Sequence, residues 1–128
     1  MTADIDLWLD DIRPAPVGWL WLKTIDAAKE LLRAGRVRRA SLDHDLGACD
    51  TCLRGRSPEE WLEQTNYTQM PNCEHFGNGY QLVCWMEETG HWPQEMPMVH
   101  SRNPAGRSKM QMAIAREWRR RERHDGDS

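Results

Sequence analysis

Chemically reactive side chains follow three segments of the sequence that are predicted to be β-strands. The residues at these segment ends are Asp10 and Asp11, then Asp43, His44 and Asp45, and finally His100 and Ser101. In parallel α/β sheets, ligands bind beyond the carboxyl ends of the strands. The sequence therefore predicts one polar site that is assembled from three strand ends.

The carboxylates in this set predict a site for a divalent cation. Asp10, Asp11 and Asp43 supply hard oxygen ligands, which Mg²⁺ takes together with waters and phosphate oxygens. The alternative interpretation is that these residues only cap loops and turns. We expect Mg²⁺ or a similar divalent ion here, bound next to a phosphate group.

His44 and His100 are the predicted acid and base, because only histidine titrates unperturbed near neutral pH. For each, the alternative is a histidine that merely hydrogen-bonds a strand-end carbonyl.

Arg102, Asn103 and Arg107 surround a predicted helix N-terminus, where free N–H groups and guanidinium groups would bind a phosphate. A simple Asn103 helix cap is the alternative, and both roles are compatible.

A second cluster predicts structural zinc. Cys49-x-x-Cys52 is followed after twenty residues by Cys73-x-His75, which is a spacing typical of a four-ligand zinc site. The acidic N-terminal segment does not resemble a signal peptide, so we expect the reducing cytoplasm and no disulfides. Three free thiols are the alternative, and Cys84 is expected to be a core thiol.

The predicted site residues are carried by strands that alternate with helices along the chain. Apolar and turn patterns predict strands at residues 5–10, 18–23, 37–43 and 96–101. Three helices are predicted, from Thr24 to Gly35, from Gly79 to Gly90, and from Asn103 onward with Met110, Ile114 and Trp118 on its core face. Residues 48–78 form a predicted insertion that contains a short helix. Ser57 is its predicted N-cap, Pro58 its first helical residue and Glu60 the closing residue of a capping box. This order predicts an α/β fold with a parallel sheet.

Length and composition are those of a single domain. The chain has 128 residues, of which 39% are hydrophobic and 29% charged, with a net charge of −3. No apolar run approaches the ~20 residues of a membrane span, so no membrane partner is expected.

The Arg-rich residues 116–123 could contact nucleic-acid phosphates, but a solvated helix end is the preferred interpretation. Residues 119–128 are predicted to be this helix end and a disordered tail, HDGDS.

Four segments carry a resemblance to a known family. LWLDDIRPAP, SLDHDLG, GYQLVCWMEE and VHSRNPAGRSKM resemble the cyclic-phosphate-processing receiver-like family, a divergent branch of the response-regulator receiver fold, over residues 5–115. The resemblance implies a truncated, flavodoxin-like sheet of about four strands. It places Asp10 and Asp11 at the receiver acidic pair, Asp43 at the phosphoacceptor position and Ser101 at the receiver Thr/Ser position. No fifth strand with the receiver lysine follows, which disfavours phosphoacceptor signalling.

The family resemblance also implies an activity on cyclic phosphates. We therefore predict a metal-dependent phosphoesterase that acts on the cyclic phosphate of a nucleotide or an RNA end. Its predicted catalytic residues are Asp43, His44, His100 and Ser101. A non-enzymatic module that binds a phosphorylated ligand, and a degenerate phosphoacceptor modified at Asp43, are the alternatives.

Overall fold

A four-stranded parallel sheet organises the chain. The computed structural model describes residues 2–47, 49–66, 73 and 75–126. Its strands are β1 (Ile5–Leu9), β2 (Leu20–Leu22), β3 (Val37–Leu42) and β4 (Met98–Val99), in the order β2-β1-β3-β4. All three pairings are parallel, which confirms the predicted fold class. Because β1 and β3 are adjacent, the residues that follow them meet at one edge.

Five helices are found in the described residues. They are α1 (Ile25–Arg33), α2 (Asp50–Leu53), α3 (Pro58–Gln64), α4 (Gly79–Thr89) and α5 (Pro104–Gly126). Thr24 caps α1 and Ser57 caps α3, both as predicted. The start of α4 is fixed by a capping box between Asn78 and Gln81, which the sequence analysis did not identify.

The insertion and the C-terminal end differ in part from the prediction. The short helix α2, which carries Cys52, was not predicted. Helix α5 continues to Gly126, so the first three residues of the predicted disordered tail are helical, and residues 127–128 lie outside the described part. Among the described residues, no helix is both long and apolar enough to cross a bilayer.

One face of the sheet supports the hydrophobic core. Leu7, Leu9, Ala40 and Leu42 belong to a buried cluster that includes residues of α1, α4 and α5. Successive strand residues point to opposite faces, so Asp6, Trp8 and Ser41 occupy the other face. The described segment between β1 and β2 contains no helix.

Candidate active site

Three carboxylates converge at the ends of β1 and β3. Asp10, Asp11 and Asp43 each place one oxygen within 4.8 Å of the others. They line a cavity of about 610 Å³, whose wall also includes Ile12, Arg13, Asp45, Arg102, Asn103 and Pro104. Asp10 is fully buried and Asp43 nearly so. The three residues predicted to bind a cation are therefore adjacent in space.

The Asp10 carboxylate is held in one orientation by hydrogen bonds from three sides. Its Oδ1 atom accepts from the backbone N–H groups of Ile12, at 2.8 Å, and of Arg13, at 2.9 Å. Its Oδ2 atom lies 3.0 Å from Nε2 of His100. These contacts satisfy a buried carboxylate and aim it at the cavity.

Burial, and after it repulsion between the carboxylates, disfavours the ionised state of this cluster. Burial, together with the charges of Asp10, Asp43 and Asp45, raises the pKa of Asp11 to about 6. Burial and the charge of Asp10 also raise the pKa of Asp43. Gly47, at φ +77°, makes room for the cluster, since a Cβ atom there would lie 2.7 Å from Oδ2 of Asp11. Carboxylates packed this closely are the oxygen donors that a divalent cation would neutralise, so the residues fit such an ion.

Arg13 is a site residue that the sequence analysis missed. Its Nε atom lies 3.2 Å from Oδ2 of Asp10, and its Nη2 atom lies 3.6 Å from Oδ2 of Asp43. Nη1 donates to the carbonyl oxygen of His100 at 3.0 Å. Arg13 sits in a proline-rich loop, and only its spacing three residues after Asp10 could have pointed to this role.

His44 is paired with a carboxylate in the manner of a general base. Its Nδ1 atom lies 2.9 Å from Oδ1 of Asp45. If Asp45 accepts the Nδ1 proton, Nε2 carries the lone pair that takes up a proton. The ring packs against α5 at Gly106, where a Cβ atom would lie only 2.4 Å from it. Nδ2 of Asn103, which lines the cavity, lies 3.5 Å from the same Nδ1 atom, further away than the Asp45 oxygen.

His100 lies at the site, but both of its ring nitrogens are engaged. Nε2 contacts Asp10, and Nδ1 lies 2.8 Å from the hydroxyl of Ser41. The ring stacks on Trp8 with a centroid separation of 3.9 Å and an interplanar angle of 6°. Burial lowers the pKa of His100, although the Asp10 carboxylate opposes this effect. The described geometry thus gives His100 a supporting position behind Asp10.

The start of α5 closes the site on its remaining side. Ser101 is buried, and its side chain hydrogen-bonds the Asp43 carboxylate. The Asn103 side chain accepts from the backbone N–H of Gly106 at 3.0 Å, as expected for a helix cap. Arg102 and Asn103 line the cavity, whereas Arg107 lies a turn further along α5, is exposed, and is not among the described lining residues.

The predicted zinc ligands also come together. One ligand atom from each of Cys49, Cys52, Cys73 and His75 lies within 4.8 Å of the other three. A tetrahedral site with Zn–S bonds of about 2.3 Å needs sulfurs about 3.8 Å apart, so only a small contraction is required. Burial raises the pKa of the Cys73 thiol, but N–H groups of Cys49 and Phe76 donate to Sγ, and the net pKa is lowered to about 7. These donors fit an anionic, metal-bound sulfur.

Comparison with known proteins identifies one family. A sequence model described as the cyclic-phosphate processing receiver domain matches residues 5–116. The matched range contains the three clustered carboxylates, His44, His100 and the whole candidate zinc cluster. No curated protein and no solved structure matches the chain significantly.

Proposed function

Because the chain belongs to the cyclic-phosphate processing receiver domain family, we propose that it is a metal-dependent phosphoesterase that opens a cyclic phosphate. The substrate is the cyclic phosphate of a nucleotide or of an RNA end. The observation that carries the proposal is the placement of three clustered carboxylates at one cavity, beside His44, whose carboxylate partner Asp45 also lines that cavity. This combination supplies cation binding and proton transfer side by side.

Asp10, Asp11 and Asp43 would hold the divalent cation, with Mg²⁺ the best match to an all-carboxylate site. When bound, such an ion polarises the phosphoryl group and lowers the pKa of water. Around it, Arg13, Arg102 and Asn103 would bind the phosphate oxygens, since they offer cationic or amide donors at the cavity wall. Arg107 remains a predicted contact for a larger substrate.

His44 would carry the proton in the reaction. Water adds to phosphorus, one ring P–O bond breaks, and the released ring oxygen becomes a hydroxyl group. His44 takes the proton of the attacking water at Nε2 and returns it to the leaving oxygen, while Asp45 holds its Nδ1–H. The products are a phosphomonoester and an alcohol on the same molecule, so atoms and charge balance.

His100 and Ser101 have positioning roles in this proposal. His100 is engaged by Asp10 and Ser41, so it orients the Asp10 carboxylate rather than moving substrate protons. Ser101 orients Asp43 through its side-chain hydrogen bond. In this proposal a single histidine, His44, acts first as the base and then as the acid, in place of the two histidines predicted from the sequence.

We further propose that zinc occupies the cluster of Cys49, Cys52, Cys73 and His75 and holds the insertion together. Four protein ligands leave no open position, so this metal would be structural. Cysteines that ligate a metal rather than form disulfides suit the reducing cytoplasm, which is the compartment we propose.

Ring opening can be followed directly by ³¹P NMR. The purified protein is incubated with Mg²⁺ and a panel of 2′,3′-cyclic and 3′,5′-cyclic nucleotides and cyclic-phosphate RNA ends. We expect a phosphomonoester signal from at least one substrate, lowered about 10²–10⁴-fold in His44→Gln. His91→Gln, which alters a histidine next to Trp85 and away from the cavity, is the matched control and should turn over normally. Absence of turnover across the panel would contradict the proposal.

A non-enzymatic module for a phosphorylated ligand is the second candidate. It is favoured by Arg13, which already neutralises part of the charge on Asp10 and Asp43 and could bind an anion without a metal. Calorimetry with the same cyclic phosphates separates the two functions. Tight binding with no ring opening, unchanged by EDTA, would establish the binding module.

A further inference from the structure

The C-terminal half of α5 carries a second cavity, lined mainly by arginines. Arg116, Arg119, Arg120 and Arg123 surround a space of about 480 Å³ together with Glu87 and Glu117. We refer to these four arginines as the arginine face. Arg116 and Arg120 expose 55% and 69% of their side chains, so the face is open to a large ligand.

The two carboxylates at this cavity do not neutralise the positive charge of the arginine face. Glu87 pairs with Arg116, and buried Glu117 is shared by Arg120 and Arg121. Arg119 bonds only a backbone carbonyl, and no carboxylate contacts Arg123 among the side chains that the structure describes. Arg116 lies three and four residues before Arg119 and Arg120, and Arg123 lies four and three residues after them. Like charges at that spacing destabilise a helix. A bound polyanion would remove this repulsion.

Helix α5 connects the arginine face to the candidate active site. Asn103 and Pro104 line the catalytic cavity at the start of the helix, and Arg119 lies 16 residues beyond Asn103. At about 1.5 Å per residue this is about 24 Å, or about seven nucleotides at the ~3.4 Å spacing of a stacked strand. The exposed residues Lys109 and Met112 precede Arg116 by seven and four positions, a spacing that places them on the same side of the helix as Arg116.

We propose that the arginine face binds the strand of an RNA whose terminal cyclic phosphate occupies the active-site cavity. Guanidinium groups suit this role because they grip phosphates in a bidentate manner and remain charged at every working pH. A free cyclic nucleotide could not span the distance. The choice of RNA over a mononucleotide rests on the proposed function, but binding to the face does not depend on catalysis.

The test uses the full-length protein and an RNA of about twelve nucleotides with a 3′-hydroxyl end, long enough to span the helix. Binding is measured by fluorescence anisotropy at several salt concentrations. Arg119→Glu with Arg123→Glu should weaken binding at least about tenfold and reduce the log–log salt slope by about 1.4, the value for two single-strand phosphate contacts. Arg33→Glu with Arg36→Glu, an equal charge change at the end of α1, is the control and should bind close to the parent protein.

Turnover distinguishes this proposal from the proposed function. With cyclic-phosphate substrates, the Arg119/Arg123 variant should lose kcat/KM on the long RNA and keep it on a cyclic mononucleotide. If both double variants bind RNA equally, or if polyglutamate competes as well as RNA, the RNA surface is overturned. If arginine-dependent RNA binding persists but no cyclic phosphate is opened, the RNA surface stands and the phosphoesterase function fails.

Discussion

Nε2 of His100 lies 3.0 Å from Oδ2 of Asp10, and the imidazole ring is clamped between Trp8 and the Ser41 hydroxyl. The two residues are 90 positions apart in the chain, so the contact ties the end of β4 to the end of β1. Its consequence is that the most buried carboxylate of the site depends on a histidine that cannot readily turn toward a substrate.

The substitution His100→Gln is therefore expected to weaken Mg²⁺ binding by about 10–100-fold, as is usual when the partner of a ligand is removed. The pH profile of ring opening at saturating Mg²⁺ should keep its shape, because His44 still carries the proton. Isothermal titration with Mg²⁺ and a pH–rate profile provide the two readouts. Normal Mg²⁺ affinity with a lost limb of the profile would instead restore His100 as an acid or base.

Gly106 should be a sensitive position although it carries no side chain. A methyl group there would meet the His44 ring at 2.4 Å, so Gly106→Ala must displace that ring from its contact with Asp45. We expect ring opening to fall at least about tenfold with Mg²⁺ affinity unchanged, because general-base catalysis contributes that much or more. The control is Ala105→Ser at the neighbouring exposed position. Equal activities of the two variants would show that the His44 position is not needed.

Purified protein should contain about one zinc per chain for a four-ligand site. Cys52→Ser should lower both the zinc content and Tm, because the free energy of metal binding contributes to folding. Cys84→Ser changes a thiol of α4 outside the cluster and should keep the zinc. Elemental analysis measures the zinc content, and a thermal melt measures Tm. Full zinc occupancy in Cys52→Ser would remove that residue from the ligand set.

The Asp6 ion pair predicts a specific pH dependence of stability. Arg39 and Arg38 hold the pKa of Asp6 well below its usual range, with hydrogen bonds of 2.6–3.0 Å. A depressed native pKa means that the unfolded state binds the proton more tightly. The stabilisation is therefore complete above the unfolded pKa of about 3.9 and is lost progressively as the pH falls below it.

Asp6→Asn should consequently lower Tm at neutral pH, and the difference from the parent protein should shrink in strong acid. The exposed Asp4→Asn provides the control for a charge change in the same segment. Thermal melts across the acidic range measure both variants. A Tm difference that stays constant down to strong acid would show that the ion pair does not set the Asp6 pKa.

Local patterns were enough to predict the framework and the two side-chain clusters that could hold a metal ion, but not the contacts around them. The alternation of apolar residues and the caps at Thr24 and Ser57 predicted strands and helices close to those found. Arg13 and the partner role of Asp45 were missed, because each depends on side-chain directions in loops. Arg13 reaches His100 across 87 positions, and no short-range pattern encodes such a contact. The contacts of His100 with Asp10 and Ser41, on which its proposed positioning role rests, are likewise not encoded in a short-range pattern.

The central claim is that Asp10, Asp11 and Asp43 hold the cation that ring opening requires. The most direct measurement is the initial rate of ring opening of a substrate found in the ³¹P NMR panel, as a function of Mg²⁺ concentration. It is made for the parent protein, Asp43→Asn and the control Asp26→Asn, all after EDTA treatment. We predict a saturable rise for the parent and the control, and a rate at least about 10²-fold lower for Asp43→Asn at every concentration. A parent rate that does not respond to Mg²⁺, or an Asp43→Asn rate equal to it, would contradict the account.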